Sequence, residues 1–263
     1  MNLAGLRVLV TRPAHQAEAL CAAIDAAGGH ALRQPLLSIK GPANGDDVAK
    51  VSADLAQATD ADDLIFTSAN AVDWAWQIDP RWRPSGRAFA VGRATARALT
   101  EKIPGNVHAP DSEFSSAGLL ALPELAAPKT RKIAIITGED GRQELAQTLK
   151  SRDALVTTIA VYRRENVSVQ RARLQALLGE VDVIFISSGQ SLQHLLSIAP
   201  ATIRNKLLQL QLVVPSSRVV KLALELGFSR TPLHPARMQN DAIVATLQQC
   251  TGRGSNAVTQ LGE

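Results

Sequence analysis

The chain carries one pattern twice, and a repeat close to half its length restricts its fold more than any single motif. Lys132 to Arg164, KIAIITGEDGRQELAQTLKSRDALVTTIAVYRR, reads as strand, glycine turn, helix and strand. The β-branched run Ile133, Ile135 and Ile136 stops at Gly138, and a helical pattern over 142–152 sets Leu145 and Leu149 on one face. A second β-branched run then covers 156–162. The same grammar occupies Arg7 to Leu37. Leu20 matches Leu145 and Ile24 matches Leu149, both by an offset of 125 on subtraction. Ser68 and Ser188 are 120 apart, and Val91 and Val214 are 123 apart, so the elements around these units repeat too.

Strands alternating with helices of about ten residues predict parallel sheets covered on both faces. Strands are expected at 63–67, 88–91, 106–109, 181–187, 210–214 and 231–234. Helices are expected at 46–58, after Ser68 through Trp74 and Trp76, and at 94–102, 115–122, 189–198, 217–226 and 239–249. The tail from 252 has no periodicity and is expected to fray. Prolines and glycines break the pattern after Leu37, and the polar segment 163–170 reads as a return crossing. The expected fold is therefore α/β, with two similar doubly wound parallel-sheet domains, flavodoxin-like or Rossmann-like, on a two-strand hinge. One domain is discontinuous, 1–38 plus 166–263, and 39–165 is inserted in it. The ligand site of such a fold is expected in the cleft between domains, where the carboxyl ends of the strands point.

With 46% hydrophobic and 20% charged residues the chain is not a disordered one, and it has no apolar run near the roughly 20 residues a membrane span needs. Its N-terminus enters a strand at once, without the basic and apolar regions of a signal peptide, which points to the cytoplasm. A net charge of +4 suits an anionic small molecule, but the basic residues are scattered, so nucleic acid is not an expected partner. Cys21 and Cys250 read as small core residues, and the five histidines lack metal-ligand spacing, so no metal is expected.

No hydrolase, kinase or dehydrogenase signature is present. Val91-Gly92-Arg93-Ala94-Thr95 is not G-x-G-x-x-G, and Gly138 to Arg142 lacks the Lys-Ser/Thr ending of a phosphate loop. Six strand ends instead meet helix starts with small or hydroxyl residues: Thr11-Arg12, Thr67-Ser68, Gly92 to Thr95, Thr137-Gly138, Ser187-Ser188-Gly189 and Ser216-Ser217-Arg218. Each can be a helix cap. Together they also offer N–H donors and hydroxyls to a polycarboxylate, and the two roles coexist. Tyr162, the only tyrosine, is either a packing residue or a phenol able to donate a proton. Arg12, Arg142, Arg163, Arg164 and Arg218 are candidate carboxylate partners or solvated surface charges.

In the order and spacing of these pieces the chain resembles the bacterial uroporphyrinogen-III synthases. The matching residues are Val10-Thr11-Arg12-Pro13, Phe66-Thr67-Ser68 with Ala71-Val72, Ala90-Val91-Gly92 through Thr95-Ala96 and Leu99, Gly138 through Gly141-Arg142, Tyr162 with Arg164, Ser187-Ser188-Gly189, and Val214-Pro215-Ser216 with Arg218. The resemblance implies a cofactor-free cytosolic lyase. It would close linear hydroxymethylbilane to uroporphyrinogen III with loss of water and inversion of ring D. It further implies a monomer, in transient contact with the hydroxymethylbilane synthase that supplies the substrate. The family's tyrosine falls on Tyr162, as the group assisting departure of the hydroxyl. The family's cleft serine and threonine positions fall on Ser68, Thr95 and Ser188, and its last junction falls among Ser216, Ser217 and Arg218; with Arg12, Gly92, Gly138 and Arg142 from the other junctions these are the expected substrate-binding positions. Two positions depart from the family pattern: Thr137 replaces a common arginine, and Asp153 replaces a common glycine. The competing readings are a hinge-type small-molecule receptor without catalysis and a nucleotide-binding regulator.

Overall fold

The computed structural model describes residues 2–103, 105, 107–111, 113–141 and 143–251; Arg142 and the tail expected to fray lie outside them. In chain order the elements are β1 (Arg7–Val10), α1 (Ala14–Ala26), β2 (His30–Arg33), β3 (Leu37–Lys40), α2 (Gly45–Gln57), β4 (Asp63–Phe66), α3 (Ala69–Ile78), β5 (Arg87–Ala90), α4 (Arg93–Lys102), β6 (Val107–His108), α5 (Ser116–Leu120), α6 (Pro123–Ala126), β7 (Lys132–Gly138), α7 (Gln143–Ser151), β8 (Leu155–Asn166), α8 (Arg171–Glu180), β9 (Val183–Phe185), α9 (Gly189–Ile198), α10 (Ala201–Gln209), β10 (Gln211–Val213), α11 (Ser217–Glu225) and α12 (Asn240–Gln248). The chain divides into two compact units, 1–38 with 166–263, and 39–165.

The discontinuous unit holds a four-stranded sheet in the order β10-β9-β1-β2, with every described pairing parallel. Strand periodicity explains its two cores. Val8, Val10, Val183, Phe185 and Val213 point to one face, against Leu20 and Ile24 of α1 and Ile243 and Leu247 of α12. Leu9, Ile184 and Leu212 point to the other, against Leu174 and Leu178 of α8, Leu192 and Leu195 of α9, Leu207 of α10 and Ala223 of α11. The sheet is therefore doubly wound. The chain runs from β1 to β2 on one side and returns to β9 on the other, so the strand order reverses between β1 and β9.

The continuous unit builds a six-stranded sheet in the order β3-β8-β7-β4-β5-β6, with parallel pairings between β8, β7, β4, β5 and β6. Leu64, Phe66, Ala134 and Ile136 face Leu55 of α2, Val72 and Trp76 of α3, and Leu99 of α4. Ile65, Phe89, Ile133 and Ile135 face Leu119, Leu125, Leu145 and Leu149 of α5, α6 and α7. Here the order reverses between β4 and β7. Both units thus repeat one strand arrangement, with β7 and β8 in the places of β1 and β2. Residues 61–79 and 181–199 even share the same burial class at every position.

Several expectations need correction. Helices α8 and α10 form where none was read. Leu174 and Leu178 bury one face of α8, and α10 follows Pro200 directly after α9, burying Leu207. Instead of ending at Leu37, the chain continues as β3, and β8 runs on through Arg163 and Arg164 to Asn166. These polar residues alternate in exposure, as a strand at the rim of a sheet allows. The expected last strand is reduced to one bridge, Leu233 with Val213. Of the strand expected at 106–109, Val107 and His108 form it, and Asn106 lies outside the described residues. Among the described residues neither Cys21 nor Cys250 forms a disulfide. Among the described residues no helix is long and apolar enough to cross a membrane, and no cluster of His, Cys, Asp or Glu could hold a metal ion.

Candidate functional site

In open α/β sheets ligands bind beyond the carboxyl ends of the strands, where the strand order reverses. In the continuous unit that place is the end of β4 and β7. Thr67, just after β4, donates its N–H to the Ile136 carbonyl at 3.1 Å, and its Oγ1 to Oγ1 of Thr137 at 2.8 Å. Ser68 follows in extended backbone as the N-cap of α3, its Oγ accepting the Ala71 N–H at 3.1 Å. One strand farther out, β8 carries Tyr162, paired with Gly138 across an irregularity of β7 at Thr137 and Gly138.

The Tyr162 side chain reaches over β7 to the end of β4. It passes directly above Gly138, where the missing side chain leaves room for the ring. The ring lies in the core cluster with Phe66, Ile136 and Val161, and the residue is only 3% exposed. Its hydroxyl is polar on both sides: Ser68 Oγ stands 3.2 Å away, and Arg164 Nη2 donates at 3.1 Å. Tyr162 and Arg164 are two apart on one strand and share a face. The guanidinium carbon lies 5.6 Å from the ring centroid, within cation–π range. The ring of this tyrosine is thus packed in the core while its hydroxyl meets two polar groups.

Gly92 is the N-cap of α4 and makes no side-chain cap bond. Thr95, only 5% exposed, is the third residue of α4 and does not cap it, contrary to the capping alternative for Thr95. Thr11 and Thr137 are not caps either. Pro13 holds that position on α1, and α7 begins only at Gln143, after the 138–141 turn. Arg142 lies outside the described residues.

In the discontinuous unit the reversal falls between β1 and β9. Thr11 Oγ1 donates to the Phe185 carbonyl at 2.8 Å and ties the two strand ends together. Arg12 is half-buried, with its guanidinium 5.0 Å from the Phe185 ring centroid. Its donors reach Asn240 Oδ1 at 3.1 Å and the Met238 carbonyl at 3.2 Å. Among the described residues no carboxylate pairs with it. Burial lowers its pKa from the ordinary value, and a guanidinium stays charged in proteins regardless.

Ser188 repeats Ser68 in detail. It caps α9 from extended backbone and accepts the Ser191 N–H at 3.1 Å. Its hydroxyl then turns to Ser191 Oγ at 2.9 Å, which also meets Ser187 Oγ at 3.1 Å. Two matched caps thus face different chemistry, a phenol in one unit and a serine cluster in the other. Ser216 is the N-cap of α11 without a side-chain cap bond, and Ser217 and Arg218 lie in its first turn, Arg218 exposed.

Among the residues singled out at strand ends, the structure brings Ser68, Gly138 and Tyr162 into one cluster. The sequence gave no sign of Thr67, Thr137 or Ser191 as hydrogen-bond partners. Arg163 and Arg164, considered as carboxylate ligands, have protein partners instead: Arg163 pairs with Glu165 and the Gly41 carbonyl, and Arg164 with the phenol. The spacing of two between Tyr162 and Arg164 was the available signal, once both are placed on a strand.

A family profile described as Uroporphyrinogen-III synthase HemD matches residues 18–244. The uroporphyrinogen-III synthase of Escherichia coli (strain K12) is 32% identical over 252 residues, covering 92% of this chain and 100% of that protein. That of Salmonella typhimurium is 33% identical over 251 residues, with 92% and 100% covered. Among solved structures, a mutant uroporphyrinogen III synthase from the extremely thermophilic bacterium Thermus thermophilus aligns with a TM-score of 0.61 at 18% identity, over 94% of this chain and 99% of that one. The Helicobacter pylori enzyme aligns at 0.56 and 13% identity, over 91% and 97%. These structures share the fold.

Proposed function

The chain belongs to the uroporphyrinogen-III synthase family, and from that premise we propose that it acts as a cyclising hydro-lyase on hydroxymethylbilane, with Tyr162 as the group that protonates the departing hydroxyl. The observation that carries this reading is the phenol itself. It stands at the strand-order reversal, with a hydroxyl and a guanidinium on its oxygen. Loss of water from the hydroxymethyl group leaves a reactive azafulvene, and ring closure then inverts ring D. The substrate carries eight carboxylates. Each unit offers groups of the kind that bind carboxylates: in the continuous unit the start of α4 after Gly92, which has no side-chain cap, and in the discontinuous unit Arg12, the Ser188 cluster, and Ser217 and Arg218 after the similarly uncapped Ser216.

Little acid strength is needed, because the substrate also cyclises unaided to the wrong isomer. Holding one arrangement of the chain ends is then the larger part of catalysis. Spontaneous loss of substrate also favours rapid transfer from hydroxymethylbilane synthase, by transient contact with a monomer in the cytosol. A cofactor has no step to perform in this scheme.

The test is to generate hydroxymethylbilane in place, add the purified protein, oxidise the products and separate type I from type III uroporphyrin. Type III is expected. Type I alone, from folded protein, would favour a receptor that binds without turnover.

A further inference from the structure

The hydrogen-bond geometry around Tyr162 fixes more than its position. A phenol oxygen has one proton to give and two lone pairs to accept with. Arginine has donors only, so Arg164 Nη2, at 3.1 Å, occupies one lone pair. Ser68 Oγ, at 3.2 Å, can either give its proton to the phenol or take the phenol's. Its own acceptor capacity is already drawn on by the Ala71 N–H at 3.1 Å, the bond that caps α3. If Ser68 donates, the phenol oxygen accepts twice and its proton is left without a protein acceptor. If Ser68 accepts, the phenol proton is turned inward and lost to the substrate.

We propose that Ser68 donates, and that Ser68 and Arg164 are positioning residues which together keep the Tyr162 proton directed at the ligand. This rests on the reading of Tyr162 as the proton donor. The donors are already aligned on the atom that becomes charged. In the step itself the phenol O–H breaks, its proton goes to the leaving hydroxyl, and the C–O bond breaks with its electron pair on the departing water. The pyrrole nitrogen lone pair fills the carbon left behind. The resulting phenolate is held by the Ser68 hydroxyl and the Arg164 cation without rearrangement. Ring closure later releases one proton from a pyrrole α-carbon, which restores the phenol and balances the cycle. The related cap Ser188 has no such role, since its partner is Ser191.

Two substitutions at Ser68 separate direction from capping. Ser68→Thr keeps the cap and the donor. Ser68→Asp keeps the cap, but a carboxylate only accepts, so it forces the phenol proton inward. The first readout needs no substrate. Tyr162 is the only tyrosine in the chain, so the Raman tyrosine doublet, whose intensity ratio falls when a phenol becomes a strong donor to the protein, reports on it alone. The ratio is expected to hold in Ser68→Thr and to fall in Ser68→Asp. The second readout is turnover at saturating substrate. Ser68→Asp and Arg164→Gln are each expected to lose roughly 10- to 100-fold, the scale of one hydrogen bond to a charged group. Ser68→Thr, which keeps the donor, should lose less than Ser68→Asp, and the Ser68→Asp and Arg164→Gln losses should shrink to within about twofold when Tyr162→Phe is already present.

A doublet already low in the parent protein would overturn the proposal. So would losses equal in size with and without Tyr162→Phe, which would mean that the two residues act on substrate or fold directly. If Tyr162→Phe alone leaves turnover unchanged, the proton-donor reading fails and the catalytic half of the proposal falls with it. The Raman comparison still decides the direction of the bond.

Discussion

A β-carbon placed on Gly138 would stand 2.7 Å from Cε2 and Cζ of Tyr162 and 3.1 Å from its hydroxyl. The ring can cross β7 only because that carbon is missing. Gly138→Ala is therefore expected to push the ring off its site, lowering turnover at least as far as Tyr162→Phe does. It should also cost about 1–3 kcal/mol of stability, as overpacking in a core does. Adding Tyr162→Ala removes the clash. The denaturation midpoint of that double variant should then lie above the sum of the two single losses. Strictly additive losses would show that the strain arises elsewhere.

The contact between Ser68 and Tyr162 spans 94 residues and depends on β7 lying between β8 and β4. No local pattern carries that information. What was legible is local: β-branched runs, glycine turns and the offsets of the repeat. Those offsets placed the caps Ser68 and Ser188, which prove to match in backbone and hydrogen bonding. Hydroxyl residues at strand ends were legible as a class but not individually. A cap differs from an interior helical threonine by the position of one boundary, and Thr95 falls on the wrong side of it. Helix α10 is not legible in the sequence because Ala199-Pro200 reads as the end of one helix and not as the start of the next.

Asp153 adopts φ 62° just before β8, a left-handed conformation that disfavours residues with a β-carbon. Its equivalent in the repeat, 125 residues earlier by subtraction, is Gly28 with φ 78°. Aspartate at this position, where the repeat has glycine, thus has a physical cost. Asp153→Gly is expected to stabilise the protein by about 0.5–1 kcal/mol, and thermal unfolding would read this as a higher Tm. Gly28→Ala should lower it. A fall in Tm for Asp153→Gly would mean that the carboxylate contributes more than the backbone strain removes.

Asp63 is fully buried at the start of β4 and is clamped by two arginines: Arg87 at 2.7 and 3.2 Å, and Arg131 at 2.6 and 3.0 Å. Burial pushes its carboxyl up, but the hydrogen bonds and charges of Arg131 and Arg87 outweigh it and hold the pKa below the ordinary value. A carboxyl depressed by folding contributes its full stabilisation above its unfolded-state pKa of about 3.9 and loses it as pH falls through the folded value. Urea midpoints should therefore drop below about pH 4 in the parent protein. Asp63→Asn should be about 3 kcal/mol less stable at neutral pH, the low end for breaking a buried pair whose arginines stay partly solvated. Its stability should fall less steeply in that acid window. Parallel curves for the two proteins would remove Asp63 from the acid response.

Arg12 holds a charge that no described carboxylate balances, although its guanidinium is half-buried against Phe185 and braced by Asn240 and the Met238 carbonyl. Such bracing fixes the direction of a fork that can take a planar carboxylate by two parallel bonds, a geometry lysine cannot reproduce. On the proposed reading that Arg12 holds a substrate carboxylate in ground and transition state alike, Arg12→Gln and Arg12→Lys should both raise KM, by roughly 10- to 100-fold for glutamine, with kcat changed little. Raising salt should raise the parent's KM more than that of Arg12→Gln, since one screened attraction is then already absent. A fall in kcat at unchanged KM would instead show that Arg12 interacts only with the transition state.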